Sequence, residues 1–175
     1  AFTPMQLAHA TAIVANDGVA FRPHLVKNIV NLKTGEERAV APQPTHRIAA
    51  KPEHIALIRN AFVGVNKEGT SARAFAGAEY TSGGKTGTAQ VFSLKGEKYV
   101  AHKIDERLRD HAWFIAYAPA DQPRIALAVL VENGGFGAQA AAPIARTVLD
   151  YFLLGKKAAG PAADAPPRDG EDQSD

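Results

Sequence analysis

Cysteine is absent from this chain of 175 residues, which excludes both a disulfide framework and a thiolate metal site. A dominant charge is missing as well. Lys and Arg number 20 against 18 Asp and Glu, a net charge of +2, and no basic run is long enough to track a phosphate backbone or an anionic lipid surface. Nothing points to nucleic acid as a partner. No stretch approaches the ~18 consecutive apolar residues of a membrane span. The 6 histidines, at positions 9, 24, 46, 54, 102 and 111, show no paired spacing of the His-x-x-x-His kind, so no metal is expected. No cofactor is expected either. The chain opens Ala1-Phe2-Thr3-Pro4, with no initiating Met and no basic segment leading into an apolar one. On that ground a fragment of a longer protein is expected.

What is present is enough for one domain: the hydrophobic fraction is 46%, ordinary for a chain with a real core. Thr3 as N-cap, Pro4 at the first helical position and Gly18 as the stop predict a helix between them, with Leu7, Ala10 and Val14 along one face. Residues 19–31, followed by the turn Lys33-Thr34-Gly35-Glu36, read as a small hairpin, and Pro42 to Ala49 as a connector. Pro52 opens a second helix whose apolar positions are Ile55, Ile58, Phe62 and Val65, ending over Asn66 to Thr70. Three strands follow, Lys85 to Phe92, Ala112 to Ala118 and Ile125 to Val131. The last two are nearly continuous apolar runs and read as a hairpin buried on both faces. A final helix, from about Ala138 to Leu154, carries Ile144, Val148, Leu149 and Phe152 and stops at Gly155. From Lys156 to Asp175 nothing large and apolar remains, so a disordered tail is expected.

The stretch richest in chemistry is Ser82-Gly83-Gly84-Lys85-Thr86-Gly87-Thr88-Ala89-Gln90. A phosphate-binding loop is excluded. The residue five positions before Gly84 is Glu79 rather than glycine, and Ala89 to Phe92 continues as strand where that loop needs a helix. On a strand, Gly83 and Gly84 leave room for a substrate to lie alongside and Lys85 supplies a fixed positive charge. Thr86 and Thr88 offer hydroxyls to a carboxylate, the Thr88 amide faces an oxyanion, and Gly87 keeps one face clear for close packing. Ser82 and Lys85 also match the string Ser-x-x-Lys. That pairing works on a helix, where i and i+3 share a face; two intervening glycines oppose a helix, and on a strand i and i+3 point to opposite faces. Ser82 is therefore not read as a nucleophile. The charged run His102 to His111 is either a solvated loop or a docking loop at the rim of the site.

Lys85-Thr86-Gly87-Thr88 resembles the Lys-Thr/Ser-Gly motif of the penicillin-binding proteins and serine β-lactamases. Phe2-Thr3-Pro4-Met5-Gln6-Leu7 resembles the helix that follows the middle motif of the class B enzymes. Gln90-Val91-Phe92, the run Glu106 to His111 and Glu132-Asn133-Gly134-Gly135 are similar to the elongation-specific branch. The resemblance implies an α+β fold, part of the serine β-lactamase-like transpeptidase architecture: an antiparallel sheet with flanking helices, incomplete at its N-terminal side. Residues 1–155 would be the C-terminal portion of that domain. It also implies a D,D-transpeptidase that cross-links peptidoglycan stem peptides ending in D-Ala-D-Ala and is acylated by β-lactams. Such an enzyme sits at the periplasmic face of the inner membrane and works with a glycosyltransferase partner. Lys85, Thr86, Gly87 and Thr88 would bind the substrate. No catalytic serine is assigned, because neither a helical Ser-x-x-Lys nor a Ser-x-Asn string is found in the chain, so the chain is expected to be inactive alone. A β-lactamase or carboxypeptidase fragment, or a sensor domain that has lost the chemistry, shares the same motif.

Overall fold

The computed structural model describes residues 2–91 and 104–157. Phe92, expected to end the first long strand, lies outside the described residues. So do His102 and Lys103 of the charged run, and the tail from residue 158 onward.

Helix α1 (Pro4–Ala15) begins as its sequence dictates. The Thr3 hydroxyl accepts the Gln6 amide at 3.2 Å while the Gln6 side chain accepts the Thr3 amide at 2.8 Å, a reciprocal capping box. It ends sooner than Gly18: Asn16 is the C-cap, and the chain reverses through Asp17 and Gly18, both at positive φ.

The expected single hairpin is two nested ribbons. Strand β1 (Val19–Phe21) pairs with β4 (Pro44–Arg47), and between them β2 (Asn28–Val30) pairs with β3 (Glu37–Ala39). The segment expected as a connector is thus partly strand, with Pro44 tolerated because it opens a strand that has a neighbour on one side. Leu25, just before the inner ribbon, and Leu32, in the turn at its tip, are each 95% exposed.

Helices α2 (Pro52–Lys67) and α3 (Ala72–Phe75) lead into a three-stranded antiparallel sheet of β5 (Gly83–Ala89), β6 (His111–Ala118) and β7 (Ile125–Val131), in that spatial order, and α4 (Gly137–Leu154) closes the chain. This is the expected α+β arrangement of an antiparallel sheet with flanking helices. The core lies between β6 and α4: Ala112, Phe114, Ala116 and Ala118 point to one side and meet Ala141, Ala142, Ala145 and Leu149. Phe75 of α3 stacks on Phe114 there, with centroids 5.7 Å apart. Helix α1 packs against β7 and β6, and α2 against β5.

One expectation of burial needs correction. Strand β7 is half-buried along its whole length, because β6 is its one strand neighbour among the described residues, so the hairpin is not enclosed on both faces. In α4 the residues that meet the sheet are alanines plus Leu149, whereas Ile144, Val148 and Phe152 remain more than 40% exposed. Small side chains let the helix approach the strands closely, and that contact is chosen over the bulkier face.

Two polar clusters hold the approach to β5. Asn66, buried at the end of α2, donates to the Ser82 hydroxyl at 2.9 Å and accepts from Ser71 Oγ at 2.6 Å. Arg146 of α4 pairs with Asp150 through Nε at 2.8 Å and points its other nitrogens at the carbonyls of Ala74, Ala76 and Gly77. The Tyr80 hydroxyl donates to the same carboxylate at 2.8 Å. Burial, then the Asp150 carboxylate, push the Tyr80 phenol well up. Burial alone would raise Asp150, but its hydrogen bonds from Arg146 and Tyr80 outweigh that and hold it below the usual carboxylate range.

Candidate functional site

Strand β5 carries the whole glycine-rich motif and lies at the edge of its sheet, with β6 as its one strand neighbour among the described residues. The register pairs Lys85 with Ile115, Thr86 with Phe114, Gly87 with Trp113 and Thr88 with Ala112. Alternation along a strand therefore sets Lys85 on one face and both threonines on the other. What unites them is the open edge, where the lysine and the hydroxyls flank the strand from either side. Lys85 and Thr88 are exposed and Thr86 is half-buried. The Lys85 ammonium folds back to donate to the Thr86 carbonyl at 2.8 Å.

The glycines do different work from that expected of them. A Cβ on Gly83 would lie 2.6 Å from the Tyr117 ring, and one on Gly84 would lie 2.6 Å from Phe114 and 2.8 Å from the Asn66 side-chain oxygen. Both glycines are buried, and the protein's own side chains fill the space they leave, not the solvent where a substrate would lie. At Gly87 the close packing is backbone on backbone. The first residue of α4, Gly137, sits so near that its Cβ would stand 2.2 Å from the Trp113 carbonyl oxygen and 2.6 Å from that of Gly87.

Ser82 is 5% exposed and its hydroxyl is engaged by Asn66, while Lys85 lies within the strand that begins at Gly83. The Ser82-to-Lys85 string is thus not a helical pair. The charged run, where described, forms a short 3-10 turn over Glu106–Leu108. Asn133, beyond the end of β7, ties it down by donating to the Arg107 carbonyl at 3.1 Å and that of Arg109 at 2.9 Å. The backbone amide of Asn133 donates to His111 Nδ1 at 2.9 Å. Among the described residues no group of three His, Asp or Glu side chains gathers to hold a metal, and no helix is long and apolar enough to cross a membrane.

One contact to the motif is missing from the sequence reading. Thr70, in the turn between α2 and α3, places its hydroxyl 2.9 Å from that of Thr86. The signal was slight: a Gly-Thr-Ser triplet where α2 ends, which reads simply as the end of a helix.

The family model for the penicillin binding protein transpeptidase domain matches residues 1–150 of this sequence. The chain belongs to that family. Within the transpeptidase family, the MrdA peptidoglycan D,D-transpeptidase of Haemophilus influenzae is 46% identical over 156 residues, covering 86% of this chain and 24% of that protein. Its counterpart in Escherichia coli strain K12 is 40% identical over 161 residues, covering 87% and 24%. Among solved transpeptidase structures, PBP2 of Pseudomonas aeruginosa superposes with a TM-score of 0.68 at 35% identity, over 93% of this chain and 32% of that one. Penicillin-binding protein A from M. tuberculosis, as its imipenem acyl-enzyme complex, gives 0.68 at 32% identity, over 87% and 31%. The chain spans about a quarter of the length of the curated transpeptidases it matches.

Proposed function

We propose that residues 1–155 are the C-terminal portion of the catalytic domain of a peptidoglycan D,D-transpeptidase of the elongation-specific, penicillin-binding protein 2 kind, followed by a tail over 156–175. The observation that carries this reading is the placement of Lys85, Thr86 and Thr88 around one open strand edge. A stem peptide ends in a carboxylate next to the carbonyl that reacts. Lys85 contributes charge to that carboxylate, and the hydroxyls of Thr86 and Thr88 donate to it. In an antiparallel pair, alternate residues turn both N–H and C=O away from the partner strand. That the Lys85 ammonium reaches the Thr86 carbonyl favours Thr86, and so Thr88, as residues facing the edge. The Thr88 amide is then aimed where a carbonyl oxygen would gain negative charge.

The attacking serine comes from outside these 175 residues. Its oxygen bonds to the penultimate D-Ala carbonyl carbon, the terminal D-Ala leaves as the amine, and an amine from a neighbouring stem peptide displaces the serine to form the cross-link. A β-lactam acylates the same serine and carries a carboxylate to the same strand. On this reading the whole protein is held at the periplasmic face of the inner membrane and works beside a glycosyltransferase.

Two measurements test this. In the whole protein, Lys85→Ala and Thr88→Val should each slow acylation by a labelled penicillin by at least about tenfold; unchanged rates would refute the assignment of the strand. Incubated with the same penicillin, the 175-residue chain alone should show no added mass. A stoichiometric adduct would restore Ser82 as a nucleophile and overturn the reading, and rapid deacylation in the whole protein would replace it with a β-lactamase.

A further inference from the structure

We propose that Thr70 is a positioning residue for substrate carboxylate recognition, acting through the hydroxyl of Thr86; this rests on the reading that Thr86 receives the carboxylate. Thr70 is not part of the motif and lies 16 residues before Thr86, yet the two hydroxyl oxygens are 2.9 Å apart. The turn that presents it is built rigidly. Gly69 packs so tightly on the end of α2 that a Cβ there would lie 2.8 Å from the Val65 backbone. On the other side Ser71, 1% exposed, is locked by its amide to the Val65 carbonyl at 3.2 Å and by its hydroxyl to Asn66 at 2.6 Å. Asn66 in turn grips Ser82 at the entrance to β5. The turn and the strand are therefore fastened to each other by buried polar contacts, and Thr70 is the residue of that turn that reaches the motif.

The direction of the contact follows from proton counting. Each threonine hydroxyl has one proton to give and two lone pairs to receive. An ionised carboxylate only accepts, so on its arrival the Thr86 proton must turn toward it. The Thr70–Thr86 bond then survives only with Thr70 as donor. The result is a relay, Thr70 O–H to Thr86 Oγ1 and Thr86 O–H to the carboxylate, in which each bond polarises the next. Thr70 also fixes the Thr86 rotamer, so that less side-chain freedom is lost when the ligand binds. Without it, the Thr86 hydroxyl is free to turn.

The test compares a penicillin with its carboxylate methyl ester, which has the same reacting ring and no negative charge. The readout is the ratio of their second-order acylation rates in the whole protein. Wild type should favour the acid, and Thr86→Val should reduce that preference. Thr70→Val, which keeps shape and removes the hydroxyl, should lower the acid-to-ester ratio by about 3- to 10-fold, and Thr70→Ser should restore it. A wild-type ratio in Thr70→Val, with a reduced one in Thr86→Val, would overturn the role of Thr70 alone. An unchanged ratio in Thr86→Val would instead overturn the carboxylate-binding strand itself. Equal losses with acid and ester in Thr70→Val, not rescued by serine, would reduce Thr70 to a folding role and sink the proposal.

Discussion

Replacing Gly137 by alanine tests the packing that supports the motif. The new methyl would meet three backbone atoms: the Trp113 oxygen at 2.2 Å, the Gly87 oxygen at 2.6 Å and the Gly87 nitrogen at 3.0 Å. None belongs to a side chain that can rotate away. Two adjacent strands, β5 and β6, hold those atoms in their ladder, so the first turn of α4 must retreat by roughly 1 Å to reach ordinary contact. Forcing a methyl into a packed core costs about 1–3 kcal/mol, and a clash with backbone belongs at the upper end. The helical preference of alanine over glycine returns at most about 1 kcal/mol. The net loss is about 2 kcal/mol. With a urea slope of about 2 kcal/mol/M, the unfolding midpoint should fall by about 1 M. Trp113, the chain's single tryptophan, sits at the contact and reports the transition by fluorescence. Gly135→Ala is the matched control. Its site has positive φ but no atom within 4 Å, so it should lose only the left-handed backbone cost of about 1–2 kcal/mol. A Gly137→Ala midpoint equal to or above wild type would refute the steric argument.

Further outcomes follow from other contacts. Asn66→Ala removes the donor to the buried Ser82 hydroxyl, leaves Ser71 Oγ only its bond to the Val65 carbonyl, and should destabilise by about 2 kcal/mol, measured by the same urea transition. The carboxyl of Asp150 is held below its ordinary value, so the stability it contributes is full above the unfolded carboxylate pKa near ~3.9 and disappears as pH falls through the lower folded value. Asp150→Asn should therefore flatten the acid limb of stability against pH; an unaltered limb would remove Asp150 from the account. With Leu25, Leu32 and Leu57 at 95%, 95% and 69% exposure, the isolated chain should enhance ANS fluorescence and self-associate as concentration rises. A monodisperse monomer that leaves ANS dark would contradict that.

Much of the fold was legible where the cause is local. The Thr3–Gln6 box, Pro4 and Pro52 at helix starts, and the apolar runs of β6 and β7 act within a few residues, and each element formed there. The motif strand was legible in the same way, because the glycines oppose a helix and the residues after Lys85 read as strand. What escaped was decided across distance. Whether Val19–Phe21 pairs with its neighbour or with Pro44–Arg47 is a competition between ribbons that alternation cannot settle for strands this short. The buried side of α4 follows from how near a helix can come, so alanine displaced Ile144 and Val148 against the usual hydrophobic ranking. Thr70 was hidden for a related reason: hydrogen-bonding partners from different elements leave no periodicity to detect.

The contact between Gly137 and Gly87 also bears on the order in which the molecule is made. Synthesis completes β5 before β6 exists to pair with it, and about fifty residues before α4 begins to emerge from the ribosome. Until then the backbone surface at Gly87 has no cover, and Arg146 has not reached the carbonyls of Ala74, Ala76 and Gly77 just ahead of the strand. A nascent chain halted before Gly137 therefore carries the motif's full sequence without its final geometry. The backbone at Gly87 takes its final cover only as the last described helix docks, so the packing behind the motif strand is timed by the arrival of α4.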